Sequence, residues 1–179
     1  MKNNNIEMPI KSKINVVATG GTIEKIYDEG TGLLKNKKSI IKNFIQSQLR
    51  LPHTDFEVFP LLAKDSLDFN DEDRQLILST LSTLQEEHSP IVVIHGTDTL
   101  EFSVQKCITK LEKVKVPVIF TGAMRPVDLK DSDAMQNIAE SFIAAKLLTP
   151  GIYVSFHGQI FQGLNVHKNH IKGTFEYHH

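Results

Sequence analysis

Tryptophan is absent from the 179 residues, tyrosine occurs three times and cysteine once. A single cysteine cannot close an intrachain disulfide, which excludes a small secreted fold held by cross-links. No apolar run approaches the ~20 residues of a membrane-spanning helix, and Met1 to Lys13 lacks the apolar stretch of a secretion signal. A net charge of −1 provides no general attraction to nucleic acid or to an anionic membrane. Also missing are the Gly-x-Ser-x-Gly elbow of serine hydrolases and both glycine-rich phosphate loops. No His-x-x-x-His or Cys-x-x-Cys spacing occurs, so neither a metal nor another cofactor is expected. The expectation is a cytoplasmic protein acting on a small molecule.

The near-neutral total conceals an uneven distribution. Residues 1–50 carry a net charge of +5, residues 51–100 a net of −8, and the remainder +2. Within the acidic block, Asp71, Glu72 and Asp73 are placed where a helix would begin and where its macrodipole favours carboxylates.

The hydropathy pattern alternates between two periods. Short apolar runs at Ile14–Ala18, Phe56–Leu62, Ile91–Ile94, Val116–Phe120 and Gly151–Phe156 read as strands. Helical spacing follows Asn70 (Leu76, Ile77, Leu81, Leu84), recurs at Leu100, Val104, Ile108 and Leu111, and runs from Ser132 to Leu148 before Pro150-Gly151. Beyond His157 the chain reads as irregular or as short strands. Strands apolar on both faces, alternating with helices, predict a Rossmann-like α/β fold: an open, mainly parallel sheet with helices on both faces. The expected organisation is a polar segment at 1–12, one α/β domain at 13–173 and a tail at 174–179.

In such sheets ligands bind outside the carboxyl ends of the strands. Those ends carry Thr19-Gly20-Gly21-Thr22, Asp65-Ser66, Gly96-Thr97-Asp98 and Gly122–Arg125. Thr22 follows two glycines, where the backbone turns sharply and a ligand can approach, but a threonine hydroxyl attacks only when a base removes its proton. Each residue also has a simpler use. Asp98-Thr99-Leu100-Glu101 has capping-box spacing, His95 ends an apolar strand as a core histidine would, and Lys168 by itself reads as a surface lysine. Cys107 falls inside a helix, away from this edge.

Taken together, Ala18-Thr19-Gly20-Gly21-Thr22-Ile23, His95-Gly96-Thr97-Asp98-Thr99-Leu100 and Thr121-Gly122-Ala123-Met124-Arg125-Pro126 resemble, in order and spacing, the signature segments of bacterial-type L-asparaginases and glutaminase-asparaginases. The resemblance runs from about Ile14 to Gly173. It implies a Thr22 nucleophile with Thr97, Asp98 and Lys168 as the activating group, Lys168 lying in Gly163-Leu164-Asn165-Val166-His167-Lys168-Asn169. It implies substrate contacts from Ser66, Asp65, Gly21 and Gly96, with L-asparagine, or L-glutamine, hydrolysed through an acyl-enzyme. Ser66 would bind the α-carboxylate, Asp98 would accept from the α-ammonium, and backbone amides near Gly96 or Gly122 would form an oxyanion hole.

Two departures from the family accompany the resemblance. Its members carry a second domain that completes a neighbouring subunit's pocket. This sequence covers only the first, which implies a short single-domain form working as a homodimer or homotetramer. The family also has a lid tyrosine near the nucleophile. Tyr27 is the nearby residue, closer to Thr22 than the family spacing, beside a segment of flexible composition, Asp28-Glu29-Gly30-Thr31-Gly32. Alternatives left open are a glutaminase or other small-amide deamidase, a non-catalytic amino-acid-binding domain and, less supported without a phosphate loop, a nucleotide-binding module.

Overall fold

β-branched and apolar residues fill Ile91–Ile94 without interruption, and this strand lies in the middle of a six-stranded sheet. A computed structural model describes residues 12–177. Positions 1–11 and 178–179, which hold most of the polar N-terminal segment and the end of the tail, lie outside the described residues. The elements in chain order are β1 (Ser12–Gly20), β2 (Ile26–Asp28), β3 (Leu33–Lys35), α1 (Ile41–Gln48), β4 (Thr54–Lys64), α2 (Asp71–Leu84) and β5 (Ile91–Ile94). There follow α3 (Leu100–Lys110), β6 (Pro117–Thr121), α4 (Ala134–Leu147), β7 (Gly151–Phe156), β8 (Gln159–Gln162), β9 (Val166–Asn169) and β10 (Thr174–Tyr177). The sheet order is β4-β1-β5-β6-β7-β8, parallel except for the antiparallel β7–β8 pair.

Side chains alternate between the two faces along every strand. Val17, Val93, Phe120 and Val154 point to the layer closed by α2 and α3, and Val16, Val92, Ile94 and Ile119 to the layer closed by α4 and α1. The expected α/β sheet covered on both faces is therefore present. No helix among the described residues is long and apolar enough to cross a membrane.

The acidic run opens α2 as expected. Asn70 accepts from the Asp73 N–H at 2.9 Å while Asp73 accepts from the Asn70 N–H at 3.0 Å, a reciprocal capping box. Asp98 departs from the capping role that its spacing allows: α3 begins after Thr99 without a side-chain cap.

Two features were not read from the sequence, and of a third only the short strands beyond His157 were, as one of two alternatives. α1 is short and has no side-chain cap, but it buries Ile41 and Ile45 one turn apart, each contributing roughly 1.5–3 kcal/mol. The segment expected to be a flexible lid is the turn of an antiparallel hairpin, β2–β3, pairing Ile26 with Lys35 and Asp28 with Leu33. The first four residues of the stretch taken as a tail form β10, paired with β9 from Thr174↔Asn169 to Tyr177↔Val166.

Candidate active site

Three loops meet at the carboxyl end of the sheet because glycines let them. A Cβ on Gly21 would stand 2.3 Å from Gly96 Cα, and one on Gly96 would stand 2.6 Å from Ser66 Cβ and 2.7 Å from Ser66 Oγ. Gly21 also has a φ of 84°, a conformation that strains any other residue. The loops after β1, β5 and β4 are thus stacked in van der Waals contact. The loop after β6 joins them, since a Cβ on Gly122 would meet the His95 carbonyl oxygen at 2.3 Å.

His95 supports this floor from below. It is fully buried; its Nδ1–H donates to the Gly96 carbonyl at 2.7 Å, and Ser103 Oγ donates to Nε2 at 2.8 Å. A carbonyl can only accept, which fixes the tautomer. Burial, opposed by the Gly96 bond, holds the imidazole's pKa down to about 4. It is a core histidine, as its place at the end of an apolar strand suggests. Cys107 is equally remote from chemistry, buried in α3 with its thiol pushed up to about 12 by desolvation.

Above the floor, β9 carries Lys168 across the edge of the sheet. Its ammonium donates to Thr97 Oγ1 at 2.8 Å and to Asp98 Oδ1 at 2.7 Å. The lysine side chain is only 14% exposed and Asp98 26% exposed, so this pair is screened less than a surface ion pair. Residues 70 and 71 positions apart are thus brought together. Thr22 stands in a 3-10 turn, Thr22–Glu24, immediately after Gly21. Among the described residues its hydroxyl makes no hydrogen bond to Thr97, Asp98 or Lys168.

The expected substrate contacts fall into two groups. Gly21 and Gly96 belong to the stacked floor. Ser66 is fully buried, with Oγ accepting from the Thr99 N–H at 3.3 Å and its carbonyl accepting from Thr99 Oγ1 at 2.7 Å, so it ties the β4 loop to the start of α3. Asp65 accepts from Lys25 Nζ and from the Leu67 N–H. Desolvation pushes its carboxyl up, but the Lys25 bond, the Leu67 N–H and the charges of Lys25 and Lys168 outweigh this and hold it below the ordinary carboxylate range. Tyr27 lies on β2, 61% exposed, and among the described residues it makes no hydrogen bond to the Thr97–Lys168–Asp98 group.

Several residues were missed by reasoning from the sequence. Glu24 is buried, and its carboxylate accepts from the Gly20 N–H at 2.9 Å and the Ile40 N–H at 3.2 Å, clamping the Thr22 turn to the start of α1. Desolvation raises its pKa against those bonds. Asp133 gathers the N–H groups of Met124 and Arg125 at 3.0 Å each and His157 Nε2 at 2.9 Å, fixing the loop after β6. His157 Nδ1 continues to Thr174 Oγ1 at 2.9 Å, linking that loop to β10. An acid two residues past a Gly-Gly-Thr turn was the only available hint of Glu24; nothing in the pattern marked Asp133 and His157 as partners.

Known proteins share this fold. Residues 13–176 match the family model described as asparaginase, N-terminal. The chain is 30% identical over 164 residues to an L-asparaginase of Thermococcus kodakarensis, covering 90% of this chain and 49% of that protein. It is 29% identical over 155 residues to a glutamyl-tRNA(Gln) amidotransferase subunit of Methanobrevibacter smithii, covering 85% of this chain and 35% of the relative. The solved structure of the thermostable T. kodakarensis L-asparaginase superimposes with a TM-score of 0.83 over 92% of this chain and 51% of that one. A probable cytoplasmic L-asparaginase of Campylobacter jejuni gives 0.75 at 25% identity, covering 89% of this chain and 50% of that one. The chain thus spans about half the length of the asparaginases it matches.

Proposed function

The chain belongs to the asparaginase family, and from that premise we propose that it is an amidohydrolase releasing ammonia from the side-chain amide of L-asparagine. The observation that carries the reading is the meeting of Lys168 with Thr97 and Asp98. A lysine ammonium is normally left in water; here it is drawn onto a hydroxyl and a carboxylate beside a glycine-built floor.

In this reading Thr22 Oγ attacks the amide carbon and its proton passes to the Thr97–Lys168–Asp98 group. The proton is returned to the amide nitrogen, which leaves as ammonia. Water then adds to the Thr22 ester, its proton taking the same route, and aspartate departs with the threonine hydroxyl restored. The lysine acts as a base only while it is neutral, so the group must release a proton before attack.

Glutamine is the second substrate to consider, because a methylene more or less in a pocket is worth only ~1–3 kcal/mol and one relative is by name part of an amidotransferase. We assign the protein to the cytoplasm and expect a homodimer or homotetramer, which sedimentation across a dilution series checks. Ammonia release from L-asparagine, L-glutamine and D-asparagine, with Thr22→Ala as control, tests the activity. Release from L-asparagine that Thr22→Ala abolishes supports the reading. A folded protein that binds aspartate but releases no ammonia from any amide overturns it, and full activity in Thr22→Ala overturns the nucleophile.

A further inference from the structure

Apolar burial is non-directional, so Val166 and Phe175 anchor the β9–β10 hairpin without fixing where the end of Lys168 falls. Directional contacts have to do that. Near the start of β9, the Tyr177 hydroxyl accepts from the Gln162 N–H at 3.1 Å. At the other end of the ladder Thr174 pairs with Asn169, one residue beyond Lys168. There Thr174 Oγ1 bonds to His157 Nδ1 at 2.9 Å, and Nε2 of the same ring bonds to Asp133 Oδ2 at 2.9 Å. A carboxylate can only accept, so Nε2 carries the proton and Nδ1 of the neutral ring takes the Thr174 hydroxyl.

His157 belongs to the main sheet and not to the hairpin. It follows β7 in the two-residue turn His157-Gly158, with φ of 48° and 79°, that leads into β8. Positive φ at both positions is the turn in which Asn-Gly is the usual pair. Asparagine would suit this backbone as well as histidine, but only the longer imidazole spans from Asp133 to Thr174. The His157 N–H donates to Asn137 Oδ1 at 3.0 Å, and Asn137 Nδ2 donates to the Gly122 carbonyl at 3.0 Å. Gly122 in turn lies against the candidate site, since a Cβ there would stand 3.6 Å from Thr97 Cγ2. Both partners of the Thr97–Lys168 contact are therefore held from one residue. His157 reaches Thr97 through Asn137 and Gly122, and it reaches Lys168 through Thr174 and the β9–β10 ladder.

We infer that His157 is a positioning residue that sets the place of Lys168 against Thr97 by tying Thr174 to the loop after β6. The inference rests on the proposed amide hydrolysis for its consequence in rate, but the placement of Lys168 has its own readout. Thr174→Val keeps the side chain's shape and removes the hydroxyl, Thr174→Ser keeps the hydroxyl, and His157→Asn keeps the turn but is too short to bridge. At equal folded concentration, Thr174→Val and His157→Asn should each lower kcat for L-asparagine about tenfold or more with KM within about twofold. A displaced proton-transfer group costs transition-state stabilisation and leaves ground-state binding in place. Thr174→Ser should keep about half of the wild-type kcat or more, and the double variant should lose no more than the worse single one, because both cut the same tie. The second readout is magnetic resonance of lysine-labelled protein, with Lys168 assigned through Lys168→Met. Its two ε-methylene protons should have separate shifts in the wild type, as in a lysine held in one rotamer, and should draw together in Thr174→Val and His157→Asn. If the wild type releases no ammonia from any amide, the hydrolytic reading fails and the Lys168 splitting alone decides the tie. If one variant does not fold, the other carries both measurements. An unchanged kcat, a loss in Thr174→Val no larger than in Thr174→Ser, or an unchanged splitting overturns the inference.

Discussion

Two hairpins stand at the carboxyl edge of the sheet, and they are held by different forces. β9–β10 buries Val166 and Phe175 in the layer under α2 and α3, with the Phe175 ring 5.0 Å from that of Phe156. β2–β3 leaves Tyr27, Leu33 and Leu34 exposed. Its fixed point is Asp28, which accepts from Thr31 at 2.9 Å, from Lys37 at 2.9 Å and, at 3.3 Å, from Lys35, and these donors hold its carboxyl well below the usual carboxylate range. Lys168, which meets Thr97 at 2.8 Å and Asp98 at 2.7 Å, is on the hairpin with the apolar anchor. A hairpin tied mainly by surface charge is suited instead to border a cleft that a ligand enters.

The contrast leads to graded expectations. Removing the apolar anchor should have the largest effect: Phe175→Ala destabilises the chain by about 3–5 kcal/mol, read as a shift in urea midpoint. It also lowers the turnover of the molecules that remain folded, although Phe175 touches no substrate. Next is the floor on which both hairpins depend. The folded chain keeps His95 neutral down to about pH 4, whereas the free imidazole titrates at 6.5. The unfolded chain therefore binds a proton that the folded chain refuses. The stabilisation is complete above pH 6.5 and is lost as pH falls to 4, by up to about 3 kcal/mol. Urea melts across that range should show the loss, and His95→Gln should flatten it. On the exposed hairpin, Tyr27→Ala and Leu34→Ala should each change stability by no more than about 0.5 kcal/mol. Finest of all is hydrogen exchange: backbone amides of 26–35 should exchange faster than those of 166–177 in the same sample.

The central layer of the fold was legible in the sequence because its inner parallel strands bury both faces, leaving unbroken apolar runs such as Ile91–Ile94 and Val118–Phe120. The four loop clusters could be placed on one edge for the same reason. The β2–β3 hairpin was not legible, and beyond His157 short strands were read only as one of two alternatives. β2 and β3 are three residues each, with charged and exposed positions, and their pairing depends on the Asp28 contacts rather than on alternation. α1 carries only two buried residues, too few to establish a period. Of the candidate site, Thr97, Asp98 and Lys168 came from the resemblance, and the structure brings them together. Glu24 and Lys25 stayed hidden because an acid and a base in a loop ordinarily face solvent, and only the folded chain reveals that one is buried and the other reaches Asp65.

The most direct measurement is ammonia release from L-asparagine by wild-type protein and Lys168→Met, side by side at equal folded concentration. An anchored lysine acting in proton transfer predicts release by the wild type and a fall of at least ~100-fold in the variant, with the far-ultraviolet spectrum unchanged. A Lys168→Met protein that turns over asparagine at the wild-type rate would contradict the account.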